Sequence, residues 1–134
     1  MSDAVLKAGD LDKAKIYAEQ LLSSATDKKD WNYGNAIHHG NLLLGRIAFK
    51  NGDVEQAKQY LLKAGETPGS PQLNSFGPNM SLAKELLEEG ERSTVLKYFE
   101  LCRIFWKTHD KDLNEWKDLV AKGKIPNFGA NLGY

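Results

Sequence analysis

The sequence has few of the features that mark catalytic, membrane or secreted proteins. Cys102 is the only cysteine among 134 residues, so the chain forms no internal disulfide and offers no thiolate-rich metal site. No apolar run is long enough to cross a bilayer, and the N-terminus lacks the pattern of a signal peptide. We therefore expect a cytoplasmic protein that has no membrane as a partner.

An excess of charge of one sign is also missing. Lysine and arginine total 18, aspartate and glutamate total 18, and each half of the chain is balanced. A protein that holds nucleic acid normally presents a broad basic surface to the phosphate backbone. The sequence thus argues against nucleic acid as a partner, although a few local cations are enough to hold a small acidic group.

The chain contains one pattern three times. In each copy an apolar-periodic stretch ends at a glycine followed by an acidic residue. An apolar residue comes five positions after the glycine, another four further on, and a third three beyond that, which places all three on one helical face. The glycine and acid are Gly9 and Asp10, Gly52 and Asp53, and Gly90 and Glu91; the face residues are Ala14, Ala18 and Leu21, then Ala57, Leu61 and Ala64, then Val95, Phe99 and Cys102.

Each copy predicts two antiparallel helices joined by a tight turn. The glycine adopts the left-handed conformation that ends the first helix, and the acid caps the second helix, whose N-terminal dipole favours negative charge. Small residues at the first inward position let the helices approach closely, so we predict that Ala57 is buried next to Gly45. One pair leaves an apolar face open, and stacked pairs bury it in a common core.

These patterns together predict seven helices. Their ranges are 2–8, 10–25, 29–51, 53–65, 78–90, 92–107 and 110–122. In the stretch rich in proline and glycine before the fifth helix, Pro71 is placed to start a short helical turn. The helix at 110–122 is apolar on one face, and we predict that it caps the array with Trp116 packed near Ile104 or Phe105.

The domain boundaries follow from the same reading. Residues 1–122 are expected to form one helical repeat domain, and 123–134 an irregular tail that is rich in glycine and proline. Met1 falls inside the first helix of the first pair, so we expect the chain to be a piece of a longer protein.

The second pair resembles the tetratricopeptide repeat family. The resemblance extends in a degenerate form over about residues 1–106, and glycine spacings above the family's regular repeat of about 34 residues imply longer helices or loops. It implies an all-α fold, a right-handed α-α superhelix of about three helical hairpins with a C-terminal capping helix. The residues that match the family's relative positions are Leu44, Gly45, Ala48, Gly52, Asp53, Ala57, Leu61 and Ala64.

The resemblance also implies a function. In this family the first helix of each hairpin lines a concave groove, so it implies a non-catalytic module that binds a protein or peptide there. Basic groups in the groove would hold acidic groups of the partner by charge-assisted hydrogen bonds. The alternative is a helical accessory domain that positions a larger enzyme or regulator, with these cations merely solvated. The implied partner-binding residues are His39, Leu42, Arg46, Phe49, Lys50, Lys84 and Leu87.

The histidines and the cysteine do not predict catalysis, a metal or a cofactor. His38 and His39 are adjacent and point about 100° apart on a helix, unlike a metal-binding pair, so we interpret them as ordinary surface or groove histidines. Cys102 stands at a core position, and we interpret it as a buried structural thiol rather than a nucleophile paired with His109.

Two further clusters have both a functional and a structural interpretation. The four glutamates at 85, 88, 89 and 91 are interpreted as a solvated face rather than as acid–base groups. Trp31, Tyr33, Trp106 and Trp116 would suit a stacking platform for nucleic acid, but the charge around them is mixed. We predict that Trp106 and Trp116 are instead buried between the last two helices.

Overall fold

The structure, a computed structural model, describes residues 11–27 and 32–132. All regular elements in these ranges are helical, which confirms the predicted all-α class for the part described. The helix predicted at 2–8 lies outside these residues. Residues 29–31 of the helix predicted at 29–51 also lie outside them, and Asn32 is in a turn. The elements are α1 (Leu11–Ser24), α2 (Tyr33–Lys50), α3 (Val54–Gly65), α4 (Pro71–Phe76), α5 (Ser81–Glu88), α6 (Arg92–Phe105) and α7 (Asp110–Ala121), with 3-10 turns at Lys107–His109 and Gly129–Leu132.

The helices pack in the predicted pairs. α2 lies along α3, and α5 lies against α6, so these are the second and third hairpins. α1, which the sequence assigns to the first hairpin, packs on α2, while α3 contacts α6 and joins the two complete hairpins. α7 packs on α6 at the end of the array, in the position predicted for the capping helix. The right-handed superhelical path stays a prediction.

The turns inside the two hairpins have the same geometry. Gly52 and Gly90 have φ angles of 83° and 84°, the left-handed conformation that glycine adopts most readily. Asp53 then caps α3, since its side chain accepts a hydrogen bond of 3.1 Å from the Gln56 amide. Glu91 makes no such bond at the start of α6. The predicted acidic cap is thus confirmed in the second hairpin and wrong in the third.

Small residues set how closely the helices approach. Ala57 is fully buried, and a β-carbon added to Gly45 would lie 3.4 Å from the Ala57 carbonyl oxygen and 3.0 Å from Tyr60 Cβ, and would overlap the Leu82 side chain. This confirms the predicted contact between Ala57 and Gly45. It also shows that Gly45 stands where α2, α3 and α5 converge, because Tyr60 lies on α3 and Leu82 on α5.

The connection between the hairpins is tied to α2. Ser70 caps α4 by accepting a 3.0 Å hydrogen bond from the Leu73 amide, and Pro71 is the first helical residue, which confirms the short turn predicted there. Thr67 donates a 2.8 Å bond to the Gly34 carbonyl. A β-carbon on Gly34 would overlap the Gly69 carbonyl, so the loop and α2 meet backbone to backbone.

The sequence predicted that the fifth helix begins at residue 78, but α5 begins at Ser81. The backbone just before it bonds to other elements and is therefore not free to form the first helical turn. Tyr98 Oη donates to the Asn79 carbonyl at 2.8 Å, and the Asn79 side chain accepts from the Ser81 amide at 2.8 Å. Tertiary hydrogen bonds here override the local helical pattern.

α7 buries one face of its helix, as predicted. Leu113, Trp116 and Val120 are buried, whereas Ile104, one of the two predicted neighbours of Trp116, is 68% exposed. The Trp116 ring lies 5.7 Å from Trp106, 6.0 Å from Phe99 and 4.9 Å from Phe128, centroid to centroid. Phe105, one of the two predicted neighbours, belongs to the same core cluster as Trp116, and the ring contacts of Trp116 also include a residue of the tail.

The C-terminal tail is not irregular throughout. Gly129–Leu132 form a 3-10 turn, and Phe128 and Asn131 are buried. The expectation of a tail without regular structure is wrong at this turn, because contacts with the helices order it.

Candidate partner-binding face

The seven residues that the sequence assigns to partner binding differ in exposure. Leu42 and Leu87 are 4% and 6% exposed and belong to the hydrophobic core, so they offer a partner little surface. Lys50, at the C-terminal end of α2, is exposed. The remaining four are half-buried on α2 and α5: His39, Arg46, Phe49 and Lys84.

Arg46 and Glu85 form an ion pair between α2 and α5. Arg46 Nε donates to Glu85 Oε1 at 2.9 Å, and the two side chains are 19% and 20% exposed. The pair therefore sits at the border between core and solvent, where salt screens charges less than on an open surface. The positive charge of Arg46 is matched within the molecule. Among the described residues Lys50 and Lys84 form no ion pair.

The glutamate run is not one solvated face. Glu88 and Glu89 are exposed, as interpreted from the sequence. Glu85 instead bonds to Arg46, and Glu91 lies 3.1 Å from Lys58 Nζ on α3. Hydrogen bonds from Lys58 to Glu55 and Glu91 raise the pKa of the lysine. Two of the four carboxylates thus join helices, and the interpretation as a solvated face is wrong for them.

His38 is a core residue rather than a surface or groove histidine. Its side chain is fully buried, and the Asn79 amide donates a 3.0 Å hydrogen bond to Nε2. Since a main-chain N–H only donates, Nε2 carries no proton, and Nδ1–H donates to the Ala64 carbonyl at 3.1 Å. Burial, reinforced by His39, lowers the pKa of His38 to about 3. The ring is a neutral bridge between α2, the end of α3 and the loop before α5.

The spacing of His38 in the sequence indicates this role. His38 precedes Leu42 by four positions and Gly45 by seven, which is the spacing of the buried face of α2. His39 is turned toward solvent by comparison and is half-buried, and burial lowers its pKa to about 4. Both imidazoles are therefore neutral near pH 7, so neither adds positive charge to the face.

Cys102, Trp106 and Trp116 are structural, as predicted, and Trp31 lies outside the described residues. Cys102 is fully buried, and its burial raises the pKa of the thiol. The ring of His109, the base proposed as an alternative partner for the thiol, stacks on Trp106 with centroids 4.6 Å apart. Trp106 and Trp116 are 3% and 8% exposed. Among the described residues no three histidine, cysteine, aspartate or glutamate side chains are grouped in a way that would hold a metal ion.

Comparison with known families identifies one part of the chain. Residues 38–65 match the tetratricopeptide repeat, and this segment contains most of α2 and all of α3. The second hairpin is similar to a tetratricopeptide repeat. This confirms the resemblance to tetratricopeptide-like helical repeats that Gly45, Gly52 and Ala57 predicted. Comparisons with curated proteins and with solved structures found no match.

Tetratricopeptide repeats generally serve in protein–protein interaction, because stacked hairpins build extended concave surfaces. Of the residues that the sequence assigns to partner binding, α2 of the matched hairpin carries Arg46, Phe49 and Lys50, and α5 carries Lys84. None of the helices among residues 11–27 and 32–132 has the length and apolar character that a membrane crossing requires.

Proposed function

We propose that this protein is a non-catalytic interaction module that binds an acidic peptide segment or partner domain on the charged face. We define the charged face as Arg46, Phe49, Lys50 and Lys84. The observation that carries the proposal is the contrast between the cations of this face. Arg46 is held by Glu85 at 2.9 Å, whereas Lys50 and Lys84 have no carboxylate partner among the described residues.

The paired arginine supports binding by fixing the geometry of the face. Because the ion pair joins α2 to α5, it holds Lys50 on the one helix and Lys84 on the other in a constant relation. A partner then meets cations whose spacing is already set, which lowers the entropy lost on binding. Phe49 is half-buried and packs on the core, so it offers the partner a fixed apolar contact next to Lys50 in the sequence.

The state of the reactive groups supports a role without catalysis. Cys102 is buried with a raised thiol pKa, and His38 has both ring nitrogens in hydrogen bonds with the backbone. A nucleophile or general base has to reach its substrate, and neither group is accessible to one. Binding is thus the function that the exposed residues of this chain support best.

Charge reversal tests the proposal. A partner recovered by affinity capture is titrated against the wild-type protein and against Lys50→Glu with Lys84→Glu, at low and physiological salt. We expect the double variant to lose at least about tenfold in affinity and to lose most of the salt dependence, because exposed charges are screened over about 8–10 Å. Arg46 is left intact, since its reversal would break the ion pair with Glu85.

Lys97→Glu with Lys117→Glu is the matched control. Both lysines are exposed, on α6 and α7, and the change in net charge is the same. Equal losses in the two double variants would mean that only net charge matters. Unchanged binding by the Lys50 and Lys84 variant would refute the charged face and favour the alternative, a helical accessory domain that positions a larger enzyme or regulator.

A further inference from the structure

α7 ends with the same turn as the first helices of the two hairpins. The Lys124 amide donates to the Leu119 carbonyl and the Gly123 amide to the Val120 carbonyl, both at 2.9 Å. Gly123 has a φ of 81°, close to the values at Gly52 and Gly90. The chain beyond Gly123 therefore starts out in the direction that the second helix of a hairpin takes.

The register of the repeat also continues past this glycine. Phe128 follows Gly123 by five positions, as Ala57 follows Gly52, and Leu132 comes four further on. Phe128 is 2% exposed, and Leu132 packs on the core. In place of a second helix, however, residues 124–128 have no regular structure, and a single 3-10 turn follows. Contacts with the rest of the molecule therefore hold this segment in place, with little help from its own backbone.

An aromatic pocket receives Phe128. Its ring lies 4.9 Å from Trp116 and 6.3 Å from Phe99, in edge-to-face arrangements with interplanar angles of 77° and 64°. Such geometry is favourable for aromatic pairs beyond the burial of apolar area. Phe128 is thus an anchor of the kind that dominates peptide recognition.

Asn131 makes most of the polar contacts of the segment, and Ser81 Oγ donates a further hydrogen bond of 3.2 Å to the Leu132 carbonyl. Asn131 Nδ2 donates to the Phe76 carbonyl at 3.1 Å and to the Pro78 carbonyl at 2.9 Å, and its own carbonyl accepts from the Met80 amide at 2.8 Å. Only a side-chain amide supplies two N–H donors at this position. Aspartate has the same shape but would turn two oxygens toward two carbonyls, so the site distinguishes asparagine from aspartate.

The connection to this segment is exposed. Residues 121–125 are all solvent-exposed, and Pro126 is the first buried residue after them. Displacement of the chain from Pro126 onward would leave intact the hydrogen bonds of Gly123 and Lys124 that end α7. The ring of Trp106 lies 5.7 Å from that of Trp116, and its buried Nε1 has no hydrogen-bond acceptor among the described residues.

We propose that the surface beneath Phe128 and Asn131 is a peptide-binding site that the C-terminal segment occupies in cis. We call it the tail site and define it by Phe99, Trp116, the carbonyls of Phe76 and Pro78, and the amide of Met80. Its partner in trans is a segment of another protein with an aromatic residue followed three positions later by asparagine. The tail site shares no residue with the charged face and does not depend on the proposed function.

A tethered segment competes strongly with a free one. A short flexible connection gives an effective concentration in the millimolar range. The wild-type chain should therefore bind a trans peptide weakly, and weakening the cis segment should open the site. Asn131→Asp does this with the least change of volume and leaves every residue of the tail site in place.

The test uses a fluorescent peptide with the sequence of residues 124–134, titrated by anisotropy against the full chain. We expect the Asn131→Asp chain to bind at least about tenfold more tightly than the wild type. Peptides in which asparagine is replaced by aspartate, or phenylalanine by alanine, should bind at least about tenfold more weakly than the parent peptide. An Asn131→Asp chain that keeps its helical circular dichroism but does not bind the parent peptide overturns the proposal.

Hydrogen exchange of the wild-type chain tests the proposal without any substitution. The amides of Met80 and Asn131 should exchange faster than that of Phe99 in α6, because the segment opens without unfolding the helices. Equal protection at all three amides would mean that the segment opens only on global unfolding, and the proposal would fail. A dimer that exchanges tails, detected by sedimentation, would assign the site to a second copy and overturn the assignment to another protein.

Discussion

The buried ring of His38 accepts a hydrogen bond from the backbone amide of Asn79, 41 residues further along the chain. The same ring bonds to the Ala64 carbonyl, so one side chain holds the end of α3 and the entry to α5 against α2. The bridge requires neutral imidazole, because protonated Nε2 would face the Asn79 N–H. The relation between the second and third hairpins is thus tied to the protonation state of one residue.

Acidification should therefore destabilise the protein. The pKa of His38 is about 3 in the folded state against 6.5 in the unfolded chain. The contribution of His38 to the free energy of unfolding is therefore complete above pH 6.5 and declines as pH falls toward 3. From pH 7 to pH 5 we expect His38 alone to lower the free energy of unfolding by about 2 kcal/mol, measured by urea denaturation. His39, with a pKa of about 4, acts in the same direction.

His38→Gln is the control for this pH dependence. Glutamine offers a donor and an acceptor but does not titrate, so the variant should lose less stability between pH 7 and pH 5 than the wild type. If both proteins showed the same slope, the bridge would not be the group that responds to pH.

Ala57→Leu should overpack the contact between α2 and α3. Ala57 is fully buried beside Gly45, and added methylenes in such a place cost about 1–3 kcal/mol. Gln59→Leu, on an exposed position of the same helix, should leave the melting temperature nearly unchanged. Equal melting of wild type and Ala57→Leu would show that the helix pair is assigned wrongly.

The ion pair between Arg46 and Glu85 should show measurable coupling. In a double-mutant cycle with Arg46→Met and Glu85→Gln we expect a coupling energy of about 1 kcal/mol, since both side chains are only about one fifth exposed. The pair of Arg103 and Glu100, whose carboxylate is 52% exposed, serves as comparison and should give about 0.3–0.5 kcal/mol. Coupling no larger than in the exposed pair would remove the reason to treat Arg46 as a fixed part of the face.

Trp116→Ala should strongly destabilise the end of the array. The indole is 8% exposed and lies among Phe99, Trp106 and Phe128. Its removal leaves a cavity and should lower the free energy of unfolding by about 3–5 kcal/mol. Glu115→Ala, its exposed neighbour, should have little effect in the same thermal unfolding experiment. A small effect of Trp116→Ala would contradict the role of α7 as the capping helix.

The sequence predicted the features of the fold that depend on residues close together along the chain. The turns at Gly52 and Gly90, the burial of Ala57 and the short helix at Pro71 all follow from local conformational preference and spacing. These features recur at fixed offsets along the sequence, so the pattern of residues predicts them without knowledge of the rest of the fold. The same reasoning places Cys102 in the core.

What the sequence did not predict depends on residues far apart along the chain. A helical pattern says which face of α5 carries Glu85 but not that Arg46, 39 positions earlier, reaches it. The start of α5 moved because Tyr98 and Asn79 bond across 19 positions. No local propensity encodes the polar bridges between hairpins, so the sequence alone does not predict them.

The shared turn at Gly52, Gly90 and Gly123 makes the array extensible in principle by protein engineering. A chimaera that carries the residues of α3 directly after Gly123 would present a second helix to α7 in the register of the existing hairpins. Growth of the array would then require no new interface chemistry at the turn, only a helix whose inward residues suit the cluster around Trp116. The C-terminal end of the domain is in this sense a modular junction.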